Sequence, residues 1–113
     1  MKTVTLEVAS REQVNQRLHR AFQGEKQGHF ISFETPALLF QLLTSKRWEV
    51  LRIMTGAGPL SIRETARRLG RDVKAVHGDV QSLLKAGLLY KTVDGRIEFP
   101  FEAVHVDFML AAA

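Results

Sequence analysis

The sequence predicts an α+β fold: a winged helix-turn-helix with an added N-terminal β-α-β segment and a C-terminal strand. Three observations lead there. A serine-capped helix stops at Gly70, and an aspartate-capped helix begins two residues later. That second helix runs straight into two β-rich stretches flanking Asp94-Gly95. Short segments outside this unit alternate apolar and polar residues, a pattern that a lone winged helix does not need.

With 113 residues and 45% hydrophobic content, the chain has enough apolar material for one domain with a real core. It reads as a single domain over 1–113, in which 1–44 is a β-α-β segment and helix suited to dimerisation, 45–101 is the winged helix-turn-helix, and 102–113 is a strand and tail. There are no cysteines, so disulfides, thiolate metal sites and a cysteine nucleophile are excluded. Nothing near Met1 resembles a signal peptide, and no stretch approaches the ~20 apolar residues that span a bilayer. The expectation is a soluble cytoplasmic protein.

Val4, Leu6 and Val8 alternate with polar neighbours, the period of a half-buried strand. Ser10 and Gln13 form a capping box for a helix that stops at Gly24, with Val14, Leu18, Ala21 and Phe22 on one face. Gly28 to Glu34 reads as a second strand. Thr35-Pro36 starts a helix through Leu38, Leu39, Phe40, Leu42 and Leu43, and Thr44-Ser45 re-caps the chain for a helix ending near Thr55. Phe40 and Trp48 are expected in the core. Ser61 and Glu64 look like a second capping box, and Asp72 caps a helix with Val73, Val76, Val80, Leu83 and Leu84 along its apolar side. In the hairpin, a two-residue Asp94-Gly95 turn would put Leu88, Tyr90, Ile97, Phe99 and Phe101 on the core face and Lys91, Arg96 and Glu98 outside. Val104, Val106 and Phe108 alternate as a last strand, and Ala111-Ala112-Ala113 reads as a frayed end.

Charge points to a polyanion. The net charge of +4 lies entirely between Ser61 and Arg96, where eight basic residues face four acids; the remaining residues carry eight of each sign. On the helix after Asp72, the side opposite the apolar stripe carries Lys74, Ala75, Gly78, Gln81, Ser82 and Lys85. Cations for phosphates, an amide for a base edge and small residues for close approach are what a major-groove helix requires. His77 and Asp79 flank this face. Gly78 weakens the helix, which suggests that something packs close to it. The expected DNA-binding set is therefore Arg67, Arg71, Lys74, Ala75, His77, Gln81, Ser82, Lys85, Lys91 and Arg96, with Lys46 and Arg47 as more remote candidates.

The run from Ser61 to Gly70, the Val73–Val80 segment and Leu83-Leu84-Lys85-Ala86-Gly87-Leu88 resemble the winged-helix regulators of the MarR/ArsR-like superfamily. The approach Leu43–Leu51 and the Val76-His77-Gly78-Asp79-Val80 core are similar, more narrowly, to bacterial and archaeal regulators often encoded beside a small toxin. The resemblance implies a homodimeric repressor on an inverted-repeat operator. It also implies an antitoxin role, with a toxin protein as a further partner.

Two other classes compete with this reading. An enzyme needs converging acids, bases or nucleophiles, whereas the four histidines (His19, His29, His77, His105) are dispersed and no phosphate loop or nucleophile elbow is present. No enzyme activity, cofactor or metal is expected, although His105 and Asp107 share a strand face. The alternative that keeps the fold is a winged-helix module that binds proteins rather than DNA. RNA is less suited, because no aromatic stacking platform is apparent.

Overall fold

A computed structural model describes residues 2–24 and 28–112; Ala113, read above as part of a frayed end, lies outside them. The order is β1 (Thr3–Val8), α1 (Arg11–Phe22), β2 (His29–Phe33), α2 (Pro36–Leu42), α3 (Ser45–Met54), α4 (Ile62–Leu69), α5 (Val73–Lys85), β3 (Tyr90–Lys91), β4 (Ile97–Glu98) and β5 (Ala103–Asp107). The fold is α+β. β1 lies in the middle of a three-stranded sheet, parallel to β2 on one side and to β5 on the other. β1-α1-β2 is therefore a crossover unit, which parallel neighbours require. β3 and β4 form a separate antiparallel pair.

The helix starts follow the caps. Ser10 Oγ accepts the Gln13 amide at 3.1 Å, while Gln13 Oε1 accepts the Ser10 amide at 2.8 Å, the reciprocal box expected of this pair. Thr35, Thr44, Ser61 and Asp72 cap the next four helices through their side-chain oxygens. Ser61 and Glu64 do not complete a second box. The Glu64 carboxylate grips Arg67 (2.5 and 2.7 Å) and Arg68 (3.1 Å) instead, each through a charge-assisted pair.

One core joins both sheets to the helices. Val4 and Leu6 of β1 pack with Val50, Leu51 and Met54 of α3, Val76, Val80 and Leu83 of α5, and Leu88, Leu89, Ile97, Phe99 and Phe101 around the hairpin. On the opposite face of β1, buried Glu7 accepts hydrogen bonds from Arg17 of α1 and from Ser32 of β2 (2.9 Å). The Arg17 guanidinium also lies 4.0 Å from the centre of the Phe30 ring. A polar clamp thus seats α1, and the helix buries no residue of its own. Leu18 and Phe22 remain in solvent, Phe22 at 90% exposure.

Phe40, Trp48 and Val73, expected inside, lie further out. Phe40 is 57% exposed and meets the edge of Phe108 (centroids 5.6 Å apart), because a helix of seven residues buries one stripe, here Leu39. Trp48 stands on the rim of a shallow depression with Arg52, Thr55 and Val104. Val73 is the first residue of α5 and projects past the core edge.

The hairpin register also differs by one residue from expectation. Tyr90 pairs with Glu98 and Lys91 with Ile97. The loop is three residues, Val93-Asp94-Gly95, closed by Thr92 N to Arg96 O (2.8 Å) and Gly95 N to Thr92 O (3.1 Å). Gly95 has φ +85°, the left-handed position that ends such a loop. A one-residue slip reverses faces. Tyr90 therefore shares the outer face with Glu98 and is exposed, while Lys91 lies on the side of buried Ile97. Beyond β4, Leu60 and Ile97 form a further antiparallel bridge, with both backbone bonds at 2.8 Å. This adds the segment before α4 to the ribbon, a pairing not foreseen in the sequence.

Candidate nucleic-acid interface

α4 and α5 are joined by Gly70-Arg71-Asp72, so α5 leaves the turn at a fixed angle, with its carboxylate cap accepting the Lys74 and Ala75 amides at 3.1 and 3.3 Å. Val76, Val80 and Leu83 point into the core, which leaves the opposite stripe in solvent. Lys74, Ala75, His77, Gly78, Gln81 and Lys85 are exposed there, and Ser82 is half-buried. A Cβ built at Gly78 would meet nothing within 4 Å. No described part of the chain packs on Gly78, so whatever seats close to it has to come from outside the chain.

The basic candidates fall into two groups. Lys74, Lys85 and Lys91 enter no ion pair among the described residues. The arginines are engaged. Arg67 shares Glu64 with Arg68; its own charge is reinforced by that carboxylate, and Glu64 is held at a pKa of about 2, first by its bond to Arg67 and then by that to Arg68. Arg96 sits 2.8 Å from Asp94, whose pKa is lowered chiefly by the Thr92 hydroxyl and secondarily by Arg96. Both arginine contacts are exposed, so solvent screens them and a phosphate can compete for the guanidinium.

Arg47 and Arg71 differ. Arg47 Nε lies 3.2 Å from Asp79 Oδ1, and Arg71 Nη2 lies 2.8 Å from Asp79 Oδ2. The three side chains are only 23%, 20% and 17% exposed for Arg47, Arg71 and Asp79. Arg47 Nη1 additionally donates to the Leu42 carbonyl at 3.0 Å. Lys46, the other remote candidate, is exposed at the start of α3. Sequence reasoning missed the Arg47–Asp79 link, because 32 residues separate the partners and nothing in a charge pattern joins them.

At the foot of α5 an open groove of about 640 Å³ runs between it and the β2–α2 segment, lined by Phe33, Leu38, Leu42, Arg47, Ser82 and Lys85 among others. Among the described residues no group of three or more His, Asp or Glu side chains stands close enough to hold a metal ion, and no helix is long and apolar enough to cross a membrane.

These features define a small α+β protein in which three capped helices and an antiparallel ribbon share their core with a parallel sheet, with a cation-bearing helix face left open. The chain belongs to the HVO_A0114 family, which it matches over residues 42–106, from the end of α2 into β5. No curated protein and no solved structure matches it.

Proposed function

We propose that the chain is a winged helix-turn-helix that binds double-stranded DNA and regulates transcription as a homodimer. In this reading α3, α4 and α5 are the three helices, α5 is the recognition helix and the β3–β4 ribbon is the wing. The observation that carries it is the open stripe of α5, where Lys74, Gln81 and Lys85 surround a glycine that none of the described residues approaches. A major groove admits one helix, and cations beside a bare backbone allow close seating. The Leu60–Ile97 bridge supports the wing assignment, since it anchors the ribbon to the segment preceding α4. The exposed Leu18 and Phe22 on α1 support dimerisation through the N-terminal segment. Two recognition helices one DNA turn apart, ~34 Å, reach an affinity that one lacks.

Fluorescence anisotropy tests this with DNA from upstream of the coding sequence and a scrambled duplex, at two salt concentrations. Tight, sequence-dependent binding that weakens with salt is expected. No binding to either duplex at low salt would overturn the reading. The groove beside α5 favours one rival, a module that binds protein: there, changing Lys74, Gln81, Lys85, Lys91 and Arg96 to Ala would leave DNA affinity unaltered.

A further inference from the structure

Asp79 is the one acid on the middle of α5, and both its oxygens are occupied by arginines from outside that helix. Arg47 comes from the first turn of α3 and also holds the Leu42 carbonyl at the end of α2. Arg71 comes from the turn between α4 and α5. A single carboxylate therefore ties α5 to its turn, to α3 and to the α2–α3 junction. Charges this far from water must be paired, so the triad fixes how α5 rolls and tilts on the core. The second nitrogen of Arg71, Nη1, is buried without an acceptor among the described residues. A phosphate cannot reach that atom unless the turn opens.

We propose that Asp79 is the positioning residue of this face: it sets the pose of α5 and withholds Arg47 and Arg71 from the phosphate backbone. This rests on the DNA-binding reading and deepens it. Non-specific attraction then comes from Lys74, Lys85 and Lys91 and from the exposed Arg67 and Arg96, with Arg47 and Arg71 masked. Masking favours selectivity, because phosphate contacts add affinity for every sequence alike.

The test is the salt dependence of duplex binding by the full chain and by Asp79→Asn and Arg71→Gln variants. Asparagine keeps the shape and one acceptor oxygen but loses the charge that holds the arginines. For Asp79→Asn the slope of log affinity against log salt should steepen by about one to two, close to 0.9 for each phosphate gained. The ratio of dissociation constants at about 200 and 50 mM salt should grow about threefold per released arginine, and the preference for the specific duplex should shrink. Arg71→Gln should leave the slope unchanged, because Arg71 touches no phosphate in the native protein. An Asp79 that served only as a scaffold would give a lower melting temperature with an unchanged or shallower slope, and that result overturns the proposal. So does a slope reduced by about one in Arg71→Gln, which decides the matter even if Asp79→Asn does not fold. A native protein that binds neither duplex would remove the DNA reading itself, whereas native binding with an unaltered slope in Asp79→Asn removes only the role given to Asp79.

Discussion

Leu60 and Ile97 exchange both of their backbone hydrogen bonds at 2.8 Å, across 37 positions of sequence, and both side chains are buried in the common core. Two-residue strands such as β3 and β4 are marginal by themselves. The bridge supplies a third strand's worth of pairing and fixes the ribbon to the helices. Ile97→Ala should therefore lower unfolding free energy by about 2–5 kcal/mol, measured by urea denaturation, and loosen the ribbon with it. A loss below about 1 kcal/mol would show that the ribbon is held elsewhere.

Gly78 offers a separation of stability from binding. Its added Cβ would touch nothing, and alanine is the better helix former by about 1 kcal/mol. Gly78→Ala should raise the denaturation midpoint while weakening DNA binding several-fold, since the methyl would stand where a groove wall approaches. Gain in both, or loss in both, would contradict that seating. Gly95→Ala should behave oppositely: at φ +85° the methyl is strained, so the variant should lose about 1 kcal/mol or more.

Arg96 and Gln81 should divide affinity from selectivity. Arg96 stands on the exposed ribbon beside Asp94, in a pair weak enough for phosphate to displace. Arg96→Ala should weaken binding to all sequences and lower the salt slope by about one. Gln81→Ala should reduce the preference between duplexes with little change in slope. Anisotropy titrations of both variants decide, and equal effects would abolish the distinction.

Glu64 carries a pH signature. Its folded pKa of about 2 lies below the ordinary 4.5, owing first to Arg67 and then to Arg68. A depressed carboxylate stabilises the fold above its unfolded pKa, so its contribution is intact above about pH 4.5 and fades as pH falls toward 2. Because the site is exposed the effect should be small. Glu64→Gln should melt slightly below the native protein at pH 7, and the two should converge near pH 2 in thermal scans. A gap that widens on acidification would refute the assignment.

Leu18→Glu together with Phe22→Glu addresses assembly. These side chains are exposed on a helix that buries nothing, so the fold should survive. On the proposed dimer, light scattering should show the mass dropping from dimer to monomer; a variant that stays dimeric would place the interface elsewhere, and a native protein that is already monomeric would overturn dimerisation.

Much of this architecture was legible because it is written in local chemistry. Ser10 with Gln13, Thr35 with Pro36, Thr44, Ser61 and Asp72 each announce a helix start, and alternation in Val4, Leu6 and Val8 announces β1. What escaped depends on partners distant in sequence or on single-residue geometry. Asp94-Gly95 is compatible with loops of two or three residues, and only the bond from Thr92 to Arg96 selects the longer one and turns Tyr90 outward. Leu60, next to Pro59, shows no strand pattern at all. The α5 face was readable from periodicity, whereas the engagement of Arg47 and Arg71 by Asp79 was not, since a charge count does not say who meets whom.

The central position of β1 has a consequence for how the molecule is made. Thr3 aligns with Ala103, and Leu6 with Val106, so the middle strand of the sheet obtains one neighbour from nearby and the other from about a hundred residues downstream. Closing a loop of that length is entropically slow to be repaid, while α3, α4 and α5 form through short-range contacts. During synthesis the helices leave the ribosome before β5 does. The pairing of β1 with β5 is therefore the last part of the sheet that can form, whereas β1, α1 and β2 can come together early.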